Sequence, residues 1–429
     1  MDIRSLDELQ PEEAEALVAR NRTAFREVLP QVREIVEQVR AEGDRALRHF
    51  TRAFDNVDLP SLEVTPEERR QAYAAVDEGL LRALREAAAR IEEYHALQRP
   101  EERFVPLAPG LEAGWVVRPI ERVGCYAPGG RAVYPSSVLM TGVPARLAGC
   151  PVRILCVPPS PDGSIPAPTL VAADLAGFQR VFKVGGAQAI AAMAYGTETV
   201  PRVDKLFGAG NLWVTAAKVW VSQDVAVDLP AGPSEVLILA DETAPPRWVA
   251  ADLLAQAEHG PDSVCLLVTT SPALAQAVAQ EVRALARGIP TGERALAALE
   301  RNGGLLVARD MDAAVGFANR FAPEHLQLVV RDPGALLPQV TCAGSIFLGA
   351  HSPVAAGDYA TGPNHVLPTA GAARAFSGLS LWSFLRIVPV QRLAPQGLAA
   401  VGEAVVRLAQ AEGLPAHAQA VQVRLEGVR

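Results

Sequence analysis

The sequence lacks the features that mark several classes of protein. The most apolar region, 138–158, is broken by Arg146 and Arg153, and no run of about 18 apolar residues occurs, which argues against a membrane-spanning helix. The N-terminus, MDIRSLDELQ, is polar and acidic, so we expect no secretory signal. The five cysteines are scattered without a Cys-x-x-Cys pair, which favours a reduced, cytoplasmic location.

Clusters of basic residues and the common dinucleotide motif are also missing. The net charge of the 429-residue chain is −8, which argues against nucleic acid and anionic membranes as main partners. The Gly-x-Gly-x-x-Gly motif of many Rossmann folds does not occur. Three other glycine turns, at 126–137, 183–189 and 207–214, lie near predicted strands. Each could let the backbone approach a phosphate, or could be an ordinary tight turn.

The pattern of apolar residues predicts an α/β protein. The first hundred residues indicate helices, with capping boxes predicted at Ser5–Glu8 and Thr65–Glu68. From 115 onward, short β-branched runs alternate with helical segments in two successive sets, which predicts two Rossmann-like domains with parallel sheets.

The predicted organisation adds a helical N-terminal arm and a C-terminal helical tail. Because the chain is too long for one hydrophobic core, we expect several domains. The predicted boundaries are an arm at 1–22, a first α/β domain at 23–125 with 234–380, an inserted Rossmann-like domain at 126–233, and a tail at 381–429. The arm and tail either dock on a partner subunit or pack on their own chain.

The stretch LLAQAEHGPDS, 253–263, contains a possible pair of metal ligands. Gln256 and His259 continue an apolar helical stripe and are three residues apart, so they lie on one face of the last helical turn. Histidine nitrogen suits zinc, but glutamine is a rare ligand. The alternative is a hydrogen-bonded core glutamine and a capping histidine. Glu258 points away from His259 and is expected to be solvated or structural.

A second Glu-His pair lies in FAPEHLQLVV, 321–330. His325 can accept a proton near neutral pH, and Glu324 can do so if it is partly desolvated. Adjacent residues of an extended strand point to opposite faces, so both can reach one substrate only if the backbone twists there. The alternative is a surface glutamate beside a histidine at a strand edge.

Two further segments carry polar side chains with possible functions. The stretch 349–369 is rich in glycine and proline and predicts a long loop without regular structure, a kind that is usually functional. It carries His351, Asp358 and His365, and Asp358 is a plausible oxygen ligand. In the tail, Glu412 ends a helix, and His417 lies in the first turn of the next.

Taken together, these segments resemble the histidinol dehydrogenase family. The matching segments, in chain order from about 115 to 422, are RVGCYAPGG, KVGGAQAIAAMAYGT, DKLFGAGN, DLPAGPSEVL, DLLAQAEHGPD, NRFAPEHLQL, GDYATGPNHVLPT and EGLPAHAQAV. The chain departs from the family at Ala209, where proline is common, and at Gly260, where an acidic residue is common. Neither departure replaces a functional residue.

The resemblance implies an enzyme that oxidises L-histidinol to L-histidine through bound L-histidinal, reduces two NAD+ and binds one zinc ion per subunit. This is the last step of histidine biosynthesis. The implied zinc ligands are Gln256, His259, Asp358 and His417. The implied substrate-binding residues are these four ligands together with Ser234, His325 and Glu412. The implied NAD-binding residues are Tyr126, Gln188 and Asn211. The family also implies a homodimer in which the tail bearing Glu412 and His417 completes the partner's site.

The resemblance also implies that Glu324 and His325 are the catalytic pair, and the chemistry suggests separate roles for them. Zinc would orient the substrate, His325 would accept the hydroxyl proton, and Glu324 would activate the water that adds to the aldehyde. Two other functions fit the residues alone. A zinc hydrolase would act without NAD, and a two-domain binding protein would hold an amino-acid-like ligand without turnover. Formation of NADH from histidinol distinguishes the three.

Overall fold

The computed structural model describes residues 2–20, 22–129, 132–229 and 232–427. The chain divides into two compact units: a larger one, Met1–Gln98 with Glu121–Phe384, and a smaller one, Arg99–Ile120 with Leu385–Arg429. Within the described ranges, no helix has the length and apolar character needed to cross a bilayer. The domain boundaries given by the sequence analysis stay a prediction.

The strands are short, and most lie in the larger unit. In chain order they are β1 (Ile3–Ser5), β2 (Arg103–Ala108), β3 (Leu111–Pro119), β4 (Arg122–Tyr126), β5 (Val152–Val157), β6 (Arg180–Lys183), β7 (Lys205–Phe207), β8 (Ala226–Val227), β9 (Glu235–Ala240), β10 (Val264–Thr269), β11 (Gly304–Val307), β12 (His325–Val329), β13 (Ser345–Leu348) and β14 (Leu385–Leu393).

The α-helices connect most of these strands. In chain order they are α1 (Pro11–Val18), α2 (Arg22–Glu42), α3 (Asp44–Phe50), α4 (Pro66–Ala75), α5 (Glu78–Ala96), α6 (Pro135–Leu147), α7 (Ala167–Ala176), α8 (Gly186–Tyr195), α9 (Leu212–Val221), α10 (Pro246–Ala257), α11 (Pro272–Ala286), α12 (Gly292–Asn302), α13 (Met311–Phe321), α14 (Pro333–Leu336), α15 (Val354–Tyr359), α16 (Pro395–Ala411) and α17 (Pro415–Glu426).

The larger unit contains two parallel sheets of the same topology. The first has the order β1-β11-β10-β9-β12-β13, and the second has the order β6-β5-β4-β7-β8. Apart from β1, which joins the edge of the first sheet beside β11, each sheet is built from a central strand, β9 or β4. The chain adds two strands on one side of it and then returns to add two on the other. The return creates a crevice next to the starting strand, where α/β proteins commonly bind ligands. The prediction of an α/β fold with two Rossmann-like parallel sheets is confirmed.

Strands β9 and β10 show why these segments form the centre of the first sheet. Every residue of both strands is buried, and their sequences, EVLILA and VCLLVT, are almost continuously apolar. Such sequences are typical of parallel strands that are covered by helices on both faces. The exception is Glu235, a charged residue at the start of β9.

The N-terminal helices pack on the second sheet. Residues of α2 and α3, including Val36 and Leu47, share one apolar core with Ile190 of α8 and Val214 of α9. Helix α4 begins as predicted, because the Thr65 side chain accepts a hydrogen bond from the backbone N–H of Glu68 in a capping box.

Two local predictions are wrong. The capping box predicted at Ser5–Glu8 does not form, because Ile3–Ser5 extends the first sheet beside β11 and the helix begins only at Pro11. The stretch 349–369 is not an unbroken loop, because α15 occupies Val354–Tyr359 after Pro353, which has an extended backbone. This short helix carries Asp358.

The smaller unit is an antiparallel sheet with two helices, and its strands were not predicted. The order is β14-β3-β2, and β14 pairs with β3 along nine residues, from Leu385 opposite Pro119 to Leu393 opposite Leu111. Helices α16 and α17 pack against each other and form the helical part of the predicted tail. All six residues of β2 are exposed.

Candidate active site

The backbone turns sharply in front of the second Glu-His pair. Helix α13 ends at Phe321, and Ala322 adopts a left-handed conformation with φ 49°. Glu324 follows at a bend, and His325 is the first residue of β12. Both side chains are buried, and Oε2 of Glu324 is 3.5 Å from Nδ1 of His325. The bend therefore brings these two adjacent side chains together.

The hydrogen bonds of His325 define its tautomer. Nδ1 lies 2.9 Å from the backbone carbonyl of Glu235, and because a carbonyl only accepts, Nδ1 carries the proton. Nε2 then has a free lone pair; it is buried and has no hydrogen-bond partner among the groups that the structure describes. Burial, together with the nearby imidazoles of His365 and His259, lowers the pKa of His325 to about 4.

Glu324 is surrounded by other acidic groups. Burial raises its pKa well above the ordinary value, and the carboxylates of Glu235 and Asp358 add to the increase. Two groups lower the pKa of Glu324 instead. The backbone N–H of Glu235 donates to its Oε2 at 2.7 Å, and Arg20 contributes a positive charge. Glu324 is thus a carboxyl group that keeps its proton to a higher pH than an ordinary glutamic acid does.

A cavity of about 260 Å³ opens beside His325, and Glu324 is not among the described residues that line it. Its walls include His325, Asp358, His365 and the residues of β13. Oδ1 of Asp358 is 3.8 Å from the free Nε2 of His325, and burial raises the pKa of Asp358 to about 7. His351 also lines the cavity, and its ring packs edge-on against Trp248.

His365 is fixed in the cavity wall by two hydrogen bonds. Its Nδ1 donates to the backbone carbonyl of Asp358 at 2.8 Å, and Nε2 is 3.2 Å from the hydroxyl of Ser137. Burial lowers the pKa of His365 to about 4. The histidine therefore ties α6, which carries Ser137, to the helix that carries Asp358.

The first Glu-His pair is placed near this group. Gln256 is buried on α10, which packs against α15. The spacing predicted that His259 lies in the last turn of α10. The helix ends at Ala257, so His259 lies instead in the turn that follows it. Its imidazole still lies near enough to those of His325 and His365 to lower the pKa of both. The Glu258 carboxylate accepts a hydrogen bond from the Thr291 hydroxyl, which suits the structural role expected for it.

The remaining residues implied for substrate and metal lie in different parts of the fold. Ser234 is half-buried directly before β9. Glu412 follows α16, and His417 lies in the first turn of α17; both are exposed residues of the smaller unit. In the described part of the chain, no group of three or more His, Cys, Asp and Glu side chains is arranged to hold a metal ion.

The residues implied for NAD follow three strands of the second sheet. Tyr126 ends β4, Gln188 lies in the first turn of α8 after β6, and Asn211 caps α9 after β7. All three lie at or beyond the carboxyl ends of parallel strands, the edge at which nucleotides usually bind. The Tyr126 hydroxyl accepts from the backbone N–H of Gly186, and burial raises its pKa to about 12. Oε1 of Gln188 is buried without a hydrogen-bond partner in the described ranges.

Sequence reasoning missed two pairs of charged residues that shape these sites. Lys218 donates to the backbone carbonyl of Gly208 at 2.9 Å and forms a buried ion pair with Asp228, which in turn accepts from the Gly208 N–H at 2.7 Å. Arg20 forms a buried ion pair with Glu235. Of these four residues, only Glu235 could have been noticed in the sequence, because a carboxylate is rarely the first residue of an otherwise apolar, buried parallel strand.

The fold and the site together define a two-sheet α/β protein of the nucleotide-binding type, with a buried Glu-His pair whose histidine lines a cavity. A family model described as histidinol dehydrogenase matches residues 18–425. The histidinol dehydrogenase of Methanothermobacter thermautotrophicus is 50% identical over 95% of this chain and 96% of its own. That of Methanosarcina barkeri is 47% identical over 99% of this chain and 98% of its own.

A solved structure agrees with these relatives. The crystal structure of histidinol dehydrogenase from Elizabethkingia anophelis covers 100% of this chain and 98% of its own, with a TM-score of 0.94 and 40% identity. The chain therefore belongs to the histidinol dehydrogenase family, and it is an NAD-dependent oxidoreductase of histidine biosynthesis.

Proposed function

We propose that this chain oxidises L-histidinol to L-histidine at the cavity beside His325, with His325 as the general base and Glu324 as the residue that activates water. The observation that carries this assignment is Nε2 of His325. It is buried, it bears a free lone pair, and it has no hydrogen-bond partner among the described residues. A neutral imidazole held in this tautomer is ready to accept a proton from a hydroxyl group.

The two steps of the reaction require different proton transfers. In the first, His325 accepts the hydroxyl proton as a hydride leaves the carbon. In the second, water adds to the aldehyde, and the hydrate loses a proton and a hydride. Oε2 of Glu324 is 3.5 Å from Nδ1 of His325, and we infer that this neighbouring carboxyl group acts on the same substrate. Its buried carboxylate, once deprotonated, is a stronger base than a solvated one, which suits activation of water.

The side chains present fit the zinc ion that the family uses. Gln256, His259 and Asp358 offer amide oxygen, imidazole nitrogen and carboxylate oxygen, which are donors that zinc accepts in proteins. Burial raises the pKa of the Asp358 carboxyl to about 7, and a cation beside it would favour its charged form. We infer that these three residues and His417 hold the ion. When bound, zinc would supply a fixed point that orients the imidazole and amine of histidinol.

NAD+ would bind at the carboxyl edge of the second sheet and accept the hydride in each step. Tyr126, Gln188 and Asn211, which follow or end β4, β6 and β7, would contact the nucleotide. The buried Oε1 of Gln188 can accept a hydrogen bond from a hydroxyl or amino group of the ligand. The Gly208 turn lets the backbone approach closely there.

We further infer that the enzyme works as a cytoplasmic homodimer whose sites each take Glu412 and His417 from the partner. Both residues are exposed in the smaller unit, together with apolar residues such as Leu107 and Leu408, each 64% exposed. Exposed apolar surface of this kind is typical of protein–protein interfaces. Glu412 and Ser234 would hold the substrate.

Substitution of the two residues tests the assignment. We expect His325→Ala to lower the rate of NADH formation by at least about 100-fold with either histidinol or histidinal, because the general base serves both steps. We expect Glu324→Gln to slow the oxidation of histidinal much more than the single-turnover oxidation of histidinol. The measurement is NADH formation with each substrate under single-turnover conditions.

The control is His49→Ala, an exposed histidine on α3, which should retain the parent rates. Equal losses on both substrates for Glu324→Gln would contradict the separate role of that residue. Retention of activity by His325→Ala would contradict its role as base.

A further inference from the structure

Arg20 makes an unusually complete set of contacts for a residue near the N-terminus. Its Nε and Nη2 donate to the two carboxylate oxygens of Glu235 at 2.8 and 2.6 Å. Its Nη1 donates to the backbone carbonyls of Val18 and Phe321, and Nη2 lies 3.5 Å from the carbonyl of Ala322. The guanidinium also stacks on the Phe321 ring, 3.5 Å from its centroid.

These contacts hold the left-handed turn that precedes the Glu-His pair. Phe321 ends α13, and Ala322 is the residue with positive φ that redirects the chain. A non-glycine residue persists in this conformation only where its surroundings impose it. Arg20 therefore acts on the element that decides where Glu324 and His325 point.

Glu235 contacts the same pair from the other side with three of its groups. Its backbone N–H donates to the Glu324 carboxylate at 2.7 Å, and its backbone carbonyl accepts from Nδ1 of His325 at 2.9 Å. Its side chain accepts from the backbone N–H of Ala370 at 2.8 Å and, at 3.4 Å, from that of Glu324. Fixing the Glu235 side chain thus fixes both partners of the pair.

We propose that Arg20 and Glu235 are positioning residues for the reaction, a buried ion pair that holds Glu324 and the Nδ1–H tautomer of His325 in place. This inference rests on the proposed function, in which Glu324 and His325 perform the proton transfers. Neither Arg20 nor Glu235 touches the substrate in this scheme; they act through the two catalytic residues. The planar guanidinium matters because it binds the carboxylate with two parallel hydrogen bonds, which lysine cannot do.

A contribution to folding stability does not by itself explain why the protein buries the Arg20–Glu235 ion pair. Burying two charges costs desolvation that their attraction offsets only with good geometry, and apolar replacements of a buried pair are often no less stable. A role in positioning predicts instead that the chemical step, and not substrate affinity or folding, is most sensitive to the geometry of the pair. Small displacements of catalytic groups can lower rates by about 100-fold.

The test uses Arg20→Lys in the full-length enzyme, which keeps the charge and removes the two-pronged geometry. We expect kcat for histidinol to fall about 10-fold, KM to stay within about twofold, and the melting temperature to stay near that of the parent. If this variant fails to fold, Arg20→Met combined with Glu235→Gln removes both charges at once and leaves no unpaired buried ion. The same loss in kcat is expected for it.

A double-mutant cycle separates positioning from a general structural role. In the Glu324→Gln background, Arg20→Lys should cause much less further loss of kcat than in the parent, because part of what Arg20 positions is already gone. Arg331→Lys is the matched control, since Arg331 forms an exposed ion pair with Glu242. It should change kcat by less than about twofold in both backgrounds.

The outcomes distinguish the two proposals. If Glu324→Gln alone leaves both oxidation steps intact, the proposed function fails for that residue. If Glu324→Gln impairs turnover, two results overturn the positioning role. One is a loss of kcat from Arg20→Lys that is equal in both backgrounds, and the other is an effect of Arg20→Lys on KM and melting temperature alone. A loss in kcat that shrinks in the Glu324→Gln background supports it.

Discussion

Asp55 is a titratable residue whose burial has consequences for stability. It is half-buried at the end of a π-helical segment, Thr51–Asp55, and its Oδ2 is buried with no hydrogen-bond partner among the described groups. Burial raises its pKa from 3.8 to about 6. The folded protein therefore holds this proton more tightly than the unfolded chain does.

The sign of the pH effect follows from this difference. Between pH 3.8 and about 6 the folded state binds more protons at Asp55, so the contribution of this residue to stability falls as pH rises. Above about pH 6 the carboxylate is charged in both states. Its incomplete solvation in the folded protein then lowers the free energy of unfolding by its full amount.

We therefore predict that Asp55→Asn stabilises the protein at neutral pH and has little effect near pH 4. Because Asp55 is only half-buried, the expected gain is about 1 kcal/mol, or an apparent melting temperature about 1–2 °C higher. Thermal scans at one heating rate and several pH values measure it. The control is Asp58→Asn, which removes an exposed carboxylate paired with Arg52 and should show no such pH dependence. A gain that is equal at acidic and neutral pH would contradict the assignment.

At the scale of the elements, the turn after β7 depends on Gly208. Its φ is 112°, and a Cβ added there would lie 2.1 Å from the carbonyl oxygen of Tyr126 at the end of β4. Real side chains do not approach backbone this closely. The absent side chain therefore allows the ends of β4 and β7 to meet, at the crevice where we propose that NAD+ binds.

We predict that Gly208→Ala weakens NAD+ binding about 10-fold or more, because the turn must move away from Tyr126 and cannot keep both its position and its hydrogen bonds. Titration of the purified variant with NAD+ measures the affinity. The matched control is Gly316→Ala in α13, where an added Cβ meets no atom within 4 Å and alanine favours the helix. Unchanged NAD+ affinity in a folded Gly208→Ala protein would show that this turn is not part of the nucleotide site.

The regular elements of the larger unit could be predicted because local patterns and tertiary structure agree there. Runs such as EVLILA alternate with amphipathic helices, and the parallel sheets follow from that alternation. Strands β2, β3 and β14 could not be found in this way. β14 lies far along the chain from β3, its partner, and most of its residues are exposed, so it carries no strong apolar signal.

The site was predictable only to the level of residue types and spacing. Histidine and acidic residues beside proline turns indicated chemistry, and the family resemblance supplied their roles. The left-handed Ala322, the tautomer of His325 and the contact of Arg20 with Glu235 depend on residues 90 to 302 positions apart, which no local pattern encodes. Long-range contacts of this kind are visible only in the folded structure.

In the homodimer that we propose, each site needs a C-terminal tail from one of the two chains. Glu412 and His417 are exposed residues of the smaller unit, and the sequence resemblance implies that they act in the partner's site. A two-fold dimer places the same surface of each subunit on the other, so an exchange of tails would give two equivalent composite sites. This arrangement makes a prediction that a self-contained subunit does not.

We predict that two inactive variants restore activity when they form mixed dimers. In a dimer of one His325→Ala subunit and one His417→Ala subunit, one site combines His325 of the second chain with His417 of the first and is intact. Random reassembly of equal amounts gives about half mixed dimers with one working site each, hence about a quarter of the parent activity. The measurement is NADH formation from histidinol after the two variants are unfolded and refolded together. The control is each variant refolded alone. If each site used the tail of its own chain, every site in the mixture would carry a defect, and the activity would stay at the level of the single variants.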